Sequence, residues 1–239
     1  MVVGVLSALL WGAVAASSLV IGAMLGVARN WDNRLIGAVL GFGAGALISS
    51  VSFELVAEGL QTAGGLPVAF GLAAGALAFF LGDRAVERFG GRSSGAAAGL
   101  PLLLGALLDG IPEQVVLGIG LAAGEGVSVA LLVAIFVSNL PEAIGSATDM
   151  RSAGRTSRTI SFGWATVAVV CALATVGGYW VSDLVRDRFT GAVDGFAAGA
   201  LLVMLVGSMI PEAKEKASMS AGLAAVLGFA VAVGLSASS

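Results

Sequence analysis

The chain has 239 residues, 58% of them hydrophobic and 11% charged, with a net charge of −3 and a mean hydropathy of +1.00. A water-soluble domain of this length cannot bury so much apolar surface, whereas a bilayer accepts it as solvent, so a soluble fold is excluded. The near-neutral charge excludes nucleic acid as a partner, and the single cysteine, Cys171, excludes a disulfide framework.

Eight apolar runs approach the ~20 residues that a spanning helix needs. They lie near 2–27, 35–60, 66–82, 99–123, 127–147, 160–181, 192–212 and 219–235. The first is too long for a signal peptide and has no basic leader, so it reads as a true span. The 36 glycines suit helices that pack backbone to backbone in lipid. Trp11, Trp31, Trp164 and Trp180 read as interface or packing residues. The expected fold is all-α: a polytopic bundle of eight transmembrane helices forming one domain over residues 1–239.

The linkers sort by charge. Those after spans one, three, five and seven carry Arg29 and Arg34; Arg84, Arg88 and Arg92; Arg151, Arg155 and Arg158; Lys214 and Lys216. That is ten of the twelve basic residues, and Arg186 and Arg188 after span six are the other two. The positive-inside rule then puts the odd-numbered linkers in the cytoplasm and both termini outside.

Span two opens with GFGAGAL (41–47) and span seven with GFAAGAL (195–201). Extending that register places Glu58 opposite Glu212. Two spans that cross in opposite directions yet match in sequence are the mark of an inverted-topology repeat. Ionisable residues inside spans are costly and functional by default. In chain order they are Glu54 in span two, Asp109 and Glu113 in span four, Glu142 in span five, and Asp194 and Glu212 near the ends of span seven. No Lys or Arg lies deep in a span, so either the acids are protonated or a cation completes them. Glu58, Glu125 and Asp194 read as surface or capping charges.

Asp109 and Glu113 fall one turn apart on one helix face, and Ser138 and Glu142 repeat the spacing in span five with Asn139 alongside. Three Pro-Glu pairs recur: Pro112-Glu113, Pro141-Glu142 and Pro211-Glu212. Proline inside a helix frees a carbonyl one turn back, here those of Leu108 and Val137, and a freed carbonyl in lipid needs a partner. Carboxylates beside freed carbonyls on two neighbouring spans make an oxygen-rich cation site. The bland alternative is a structural polar cluster.

At these residues the chain resembles the ZIP (Zrt/Irt-like protein) family of divalent metal transporters. The carrying motifs are Asp109-Gly-Ile-Pro-Glu113, Ser138-Asn-Leu-Pro-Glu142, GFGAGALISSVSFELV in span two and GFAAGALLVMLVGSMIPEA in span seven. The resemblance implies three-span repeats on each side of a central pair, spans four and five, with a binuclear metal site on that pair. Its span-four motif usually reads His-Asn-x-Pro-Glu; here Asp109 stands for the His and Gly110 for the Asn. In span five, Ser138 and Asn139 hold places usually taken by His or Gln and an acid or Asn. Some members add a span-six carboxylate, and 160–181 contains none.

The expected function is therefore import of a divalent metal cation across the plasma membrane, or the inner membrane of a bacterium. The expected metal residues are Asp109, Glu113, Ser138, Asn139, Glu142 and Glu54. Resemblance implies zinc or iron, whereas a site without histidine favours a harder cation such as manganese. No resident cofactor is expected, the metal being substrate, and the expected partners are that cation and the lipid bilayer, with a homodimer left open. Two rivals remain: a degenerate relative that binds or senses metal without moving it, and an intramembrane aspartyl-type enzyme using Asp109 and Asp194. The absence of histidine excludes a Ser–His hydrolase.

Overall fold

The computed structural model describes residues 2–90, 100–123, 126–185 and 190–237; Arg92, Glu125, Arg186 and Arg188 lie outside the described residues. All regular structure among them is helical. Eight helices are long and apolar enough to cross a membrane: α1 (Val3–Ala28), α2 (Asn33–Ala63), α3 (Gly65–Ala85), α4 (Leu102–Ala123), α5 (Val129–Ser152), α6 (Ser157–Ser182), α7 (Gly191–Ala217) and α8 (Met219–Ser236). Large apolar side chains such as Phe70, Phe162 and Leu223 are exposed on the outside of the bundle, where a bilayer covers them.

Some helices outrun the apolar stretches that announce them. α5 continues to Ser152 because its polar end is tied to the end of α1: Arg151 donates to the Val27 carbonyl at 2.7 Å and to the Asn30 side chain. The starts are capped as the sequence chemistry requires. Asp32 accepts from the Arg34 amide at 2.8 Å, and Ser128 accepts from the Leu131 amide at 3.1 Å.

The packing obeys a pseudo-twofold rule that exchanges α1 with α6, α2 with α7, α3 with α8 and α4 with α5. The most extensive interfaces come in matching pairs: α3 on α7 with α8 on α2, and α4 on α6 with α5 on α1. The correspondence reaches single glycines. A methyl added at Gly45 would lie 1.8 Å from the Ala225 carbonyl oxygen, and one at Gly199 would lie 2.0 Å from that of Leu72. Gly228 meets the Phe42 carbonyl as Gly75 meets that of Phe196, and Gly37 meets Ala217 as Gly191 meets Ala63. These contacts carry the helices to backbone distance, which only glycine allows.

The helices fall into two groups of four. In the first, α2 and α7 cross each other and carry α8 and α3. In the second, α1 and α6 cross and carry α5 and α4, around a separate core containing Leu19, Ala143, Trp164 and Ala168. α2 bridges the groups by crossing α5, where a methyl at Gly43 would come within 2.8 Å of the Ser138 Cα.

Each crossing helix of the first group contains a π-helical stretch, Val51–Ala57 in α2 and Leu205–Met209 in α7. In the register of the sequence echo, Val51 pairs with Leu205, so the widened turns begin at equivalent positions. In α7 the cause is visible, since Pro211 offers no N–H and its ring displaces the carbonyl one turn back. α2 has no proline there, and its π stretch is invisible in the sequence.

Gly45→Ala should lower stability by about 1–3 kcal/mol, because the added carbon overlaps the Ala225 carbonyl. Gly177→Ala, where nothing lies within 4 Å, should be neutral or stabilising. Thermal unfolding of the two variants in detergent checks the difference.

Candidate metal site

Proline within α4 and α5 sets the local geometry. Pro112 and Pro141 each lie inside a continuous helix, and the carboxylate that follows each is turned into the bundle. Glu113 is the most deeply buried of these acids, at 1% exposure. α4 and α5 have little surface in common, and the contact they do make is polar. Ser138 Oγ donates to Glu113 Oε1 at 3.0 Å, and Asn139 Nδ2 donates to Oε2 at 2.5 Å. Ser138 and Asn139 also reach back to the Ile135 carbonyl, at 2.9 and 3.0 Å, which fixes their orientation. Both oxygens of one buried carboxylate are thereby held by the facing helix.

The other predicted residues divide into two levels. Asp109, one turn before Glu113, accepts from Ser208 Oγ of the α7 π stretch at 3.2 Å and feels the charges of Glu212 and Asp83. Glu142 is half-buried and lies within the electrostatic field of Asp109, Glu212, Glu113 and Lys216. Asp109, Glu113, Glu142 and Glu212 thus form one acidic region at the boundary between the two helix groups. Glu54 lies apart. Its Oε1 accepts from Ser128 and Ser236 at 2.9 and 3.0 Å, and its Oε2 is buried with no hydrogen-bond partner. Among the described residues, no three of Cys, Asp and Glu stand close enough to hold one ion.

Glu54 opens onto a cavity of about 940 Å³ shared with Glu58 and Asp194. Gly126 and Val127 of the linker after α4 and the end of α2 at Ala63 also line it, so it belongs to the face that carries the even-numbered linkers. Its floor includes Val116 and Leu117, one helical turn beyond Glu113 on the same side of α4. The surface reading of Asp194 is corrected here. The residue lies inside α7 beyond its first turn, not at its cap, and Gly59 and Gly191 let α7 approach α2 so closely that it is only 5% exposed and turned to the cavity. Glu58 likewise lines the cavity.

Four neighbours of these acids have surroundings that a reading by sequence misses. Ser208 carries no charge, but the repeat register pairs it with Glu54. Asp194 sits beside a linker. Lys216 lies beyond the apolar run. Cys171 sits in an apolar stretch, yet a methyl added at Gly110 would meet its sulfur at 2.9 Å. That contact explains why the asparagine expected before Ile-Pro-Glu is a glycine here: the thiol fills the space.

Removing the amide donor in Asn139→Ala leaves a buried carboxylate oxygen unpaired. The metal-free protein should lose roughly 1.5–3 kcal/mol, seen as a lower unfolding temperature. Asn139→Asp should not restore it, since the new group has no N–H.

No protein-family profile matches the chain. It is similar to a protein of Arabidopsis thaliana described as a "putative zinc transporter", with 30% identity over 197 residues, 79% of this chain. The chain spans about a third of that protein's length, 32%. Eight spanning helices and a zinc-transporter relative together support the resemblance of this chain to the ZIP family of metal transporters.

Proposed function

We propose that this multi-pass membrane protein carries a divalent metal cation into the cytoplasm, through the acidic region on α4 and α5, as one transmembrane domain. The observation that carries the reading is Glu113, a carboxylate buried in the middle of the bundle one turn below an acid-lined cavity. A carboxylate so placed is expensive in lipid and persists where it serves an ion path. The cavity, with Glu54, Glu58 and Asp194, collects cations at the outer face, and both termini lie on that side by the positive-inside rule. Glu113 and Glu142, which together with Asp109 stand too far apart to hold one ion in this conformation, then draw together around it, with Asp109, Ser138 and Asn139 completing the shell as Ser138 and Asn139 release the carboxylate. Movement of the group of four that contains α4 and α5 against the other group of four alternates access.

The relative's description favours zinc, whereas the donors on α4 and α5 are all oxygen and favour a harder ion such as manganese. The aspartyl-enzyme reading has little support from the geometry. Asp109 touches Ser208, and Asp194 lies on the same helix α7, so the two acids are separated by roughly 20 Å at 1.5 Å per residue.

Flux of Mn²⁺, Zn²⁺ and Fe²⁺ into proteoliposomes should be measured for the wild type and for Glu113→Ala. The variant should lose at least 100-fold in rate, on the order of 2.7 kcal/mol. Uptake at the wild-type rate by a correctly folded Glu113→Ala would falsify the site. Asp109→His should shift the preference toward Zn²⁺, because imidazole is the softer donor. Binding without flux in the wild type would favour a sensor.

A further inference from the structure

On the face with the odd-numbered linkers, the cavity beside Lys214 and Ser218 is smaller, about 210 Å³, and no acid lines it. A second lysine stands on that face. Lys216 lies in the last turn of α7 and pairs with Glu212 at 2.7 Å. Spaced four residues apart on a helix, such a pair is ordinarily a surface ornament worth little. Two observations set this one apart. First, the ammonium is laid across α5: a methyl added at Gly145 would lie 2.9 Å from Nζ. Second, the same ammonium acts on Glu142, one turn before Gly145, and on Asp149, one turn after it. The stem is fixed as well, since Gly37 of α2 admits the Lys216 Cβ to 2.7 Å of where its own would be.

We propose that Lys216 is a tethered counter-cation that occupies the inner end of the acidic region and exchanges places with the transported metal. This rests on the transport reading above and adds a specificity-determining residue to it. A divalent ion at Glu142 and the Lys216 ammonium share the same carboxylates, so each weakens the hold of the other. While the outer cavity is open, the ammonium pairs with Glu212, offsets part of the negative charge around Glu142, and so weakens metal binding from the opposite side. When an ion moves inward, the ammonium must swing toward solvent on its four-carbon stem, and its return helps to expel the ion. A side chain at Gly145 would crowd Nζ and push it aside.

The test uses the full chain purified in detergent, with Mn²⁺ and Zn²⁺ as probes by equilibrium dialysis, and the same variants in proteoliposomes for flux. Lys216→Gln should bind the ion about tenfold more tightly and show a lower maximal flux, because release is no longer assisted. Lys216→Arg should keep wild-type affinity. Gly145→Ala retains every charge but pushes the ammonium aside, and it should tighten binding by a smaller factor. If Lys216→Gln and Gly145→Ala both bind as the wild type does, while Glu113→Gln has lost binding, the counter-cation role is overturned and the site survives. If Glu113→Gln binds normally, or the wild type binds neither ion, the transport reading fails and takes this role with it.

Discussion

The rest of the structure depends on the cost of holding the Glu113 carboxylate away from water. A carboxylate inside a bilayer must be met by donors, and the donors must arrive without a shell of solvent. Here they come from one neighbouring turn of α5, as a hydroxyl and an amide, one to each oxygen. That arrangement demands that α5 present Ser138 and Asn139 at a fixed height against α4, although the two helices share little other surface. The height is set from elsewhere. α1 holds α5, α6 holds α4, and α1 and α6 hold each other. From the far side α2 presses its Gly43 against the Ser138 backbone. The polar contact at the centre is thus positioned by glycine-rich apolar packing at its edges.

The inverted repeat supplies that packing twice and then departs from symmetry where the chemistry lies. The frames correspond glycine by glycine, down to π stretches that begin at matched positions. The side chains carried by those stretches differ. Where α2 has Glu54, α7 has Ser208, and one accepts hydrogen bonds while the other donates to Asp109. The matched pair Glu58 and Glu212 also diverge, the first in an open cavity and the second under a lysine. A frame with equivalent halves is compatible with two equivalent states. In the proposed transport cycle, unlike residues on the two faces would give those states different affinities for an ion.

Much of the fold is legible in the sequence because membrane helices obey few rules. Length, apolarity and linker charge yield eight spans, and a match at six of seven positions yields the repeat. The Asp109, Glu113, Ser138 and Glu142 stripes are legible because helical spacing is fixed. What eludes the sequence has in common that it depends on how closely helices approach. Asp194 looks like a cap until Gly59 and Gly191 bring α2 and α7 together. Cys171 looks inert until Gly110 leaves room for its sulfur. Lys216 looks solvated until Gly37 and Gly145 admit its stem and its ammonium. The π stretch of α2, without a proline to announce it, is likewise a product of packing.

The placement of glycine also says where the bundle can move. Within each group of four, helices meet backbone to backbone, as at Gly45 on Ala225 and Gly199 on Leu72, and such contacts leave no freedom to slide. Between the groups several contacts are of another kind. Ser208 to Asp109 is a single hydrogen bond, and Lys216 against Gly145 is the tip of a flexible side chain beside an open position. A hydrogen bond and an ammonium can be exchanged for an ion at small cost, whereas a glycine seam cannot be opened without exposing backbone. The acids lie along this boundary, where exchangeable contacts stand beside one close seam, Gly43 of α2 on the Ser138 backbone. Ion movement and helix movement therefore draw on the same contacts. In the proposed cycle, a cation arriving at Glu142 would replace the interaction that Lys216 makes across the boundary, and the strength of that tie between the groups would then depend on whether an ion is present.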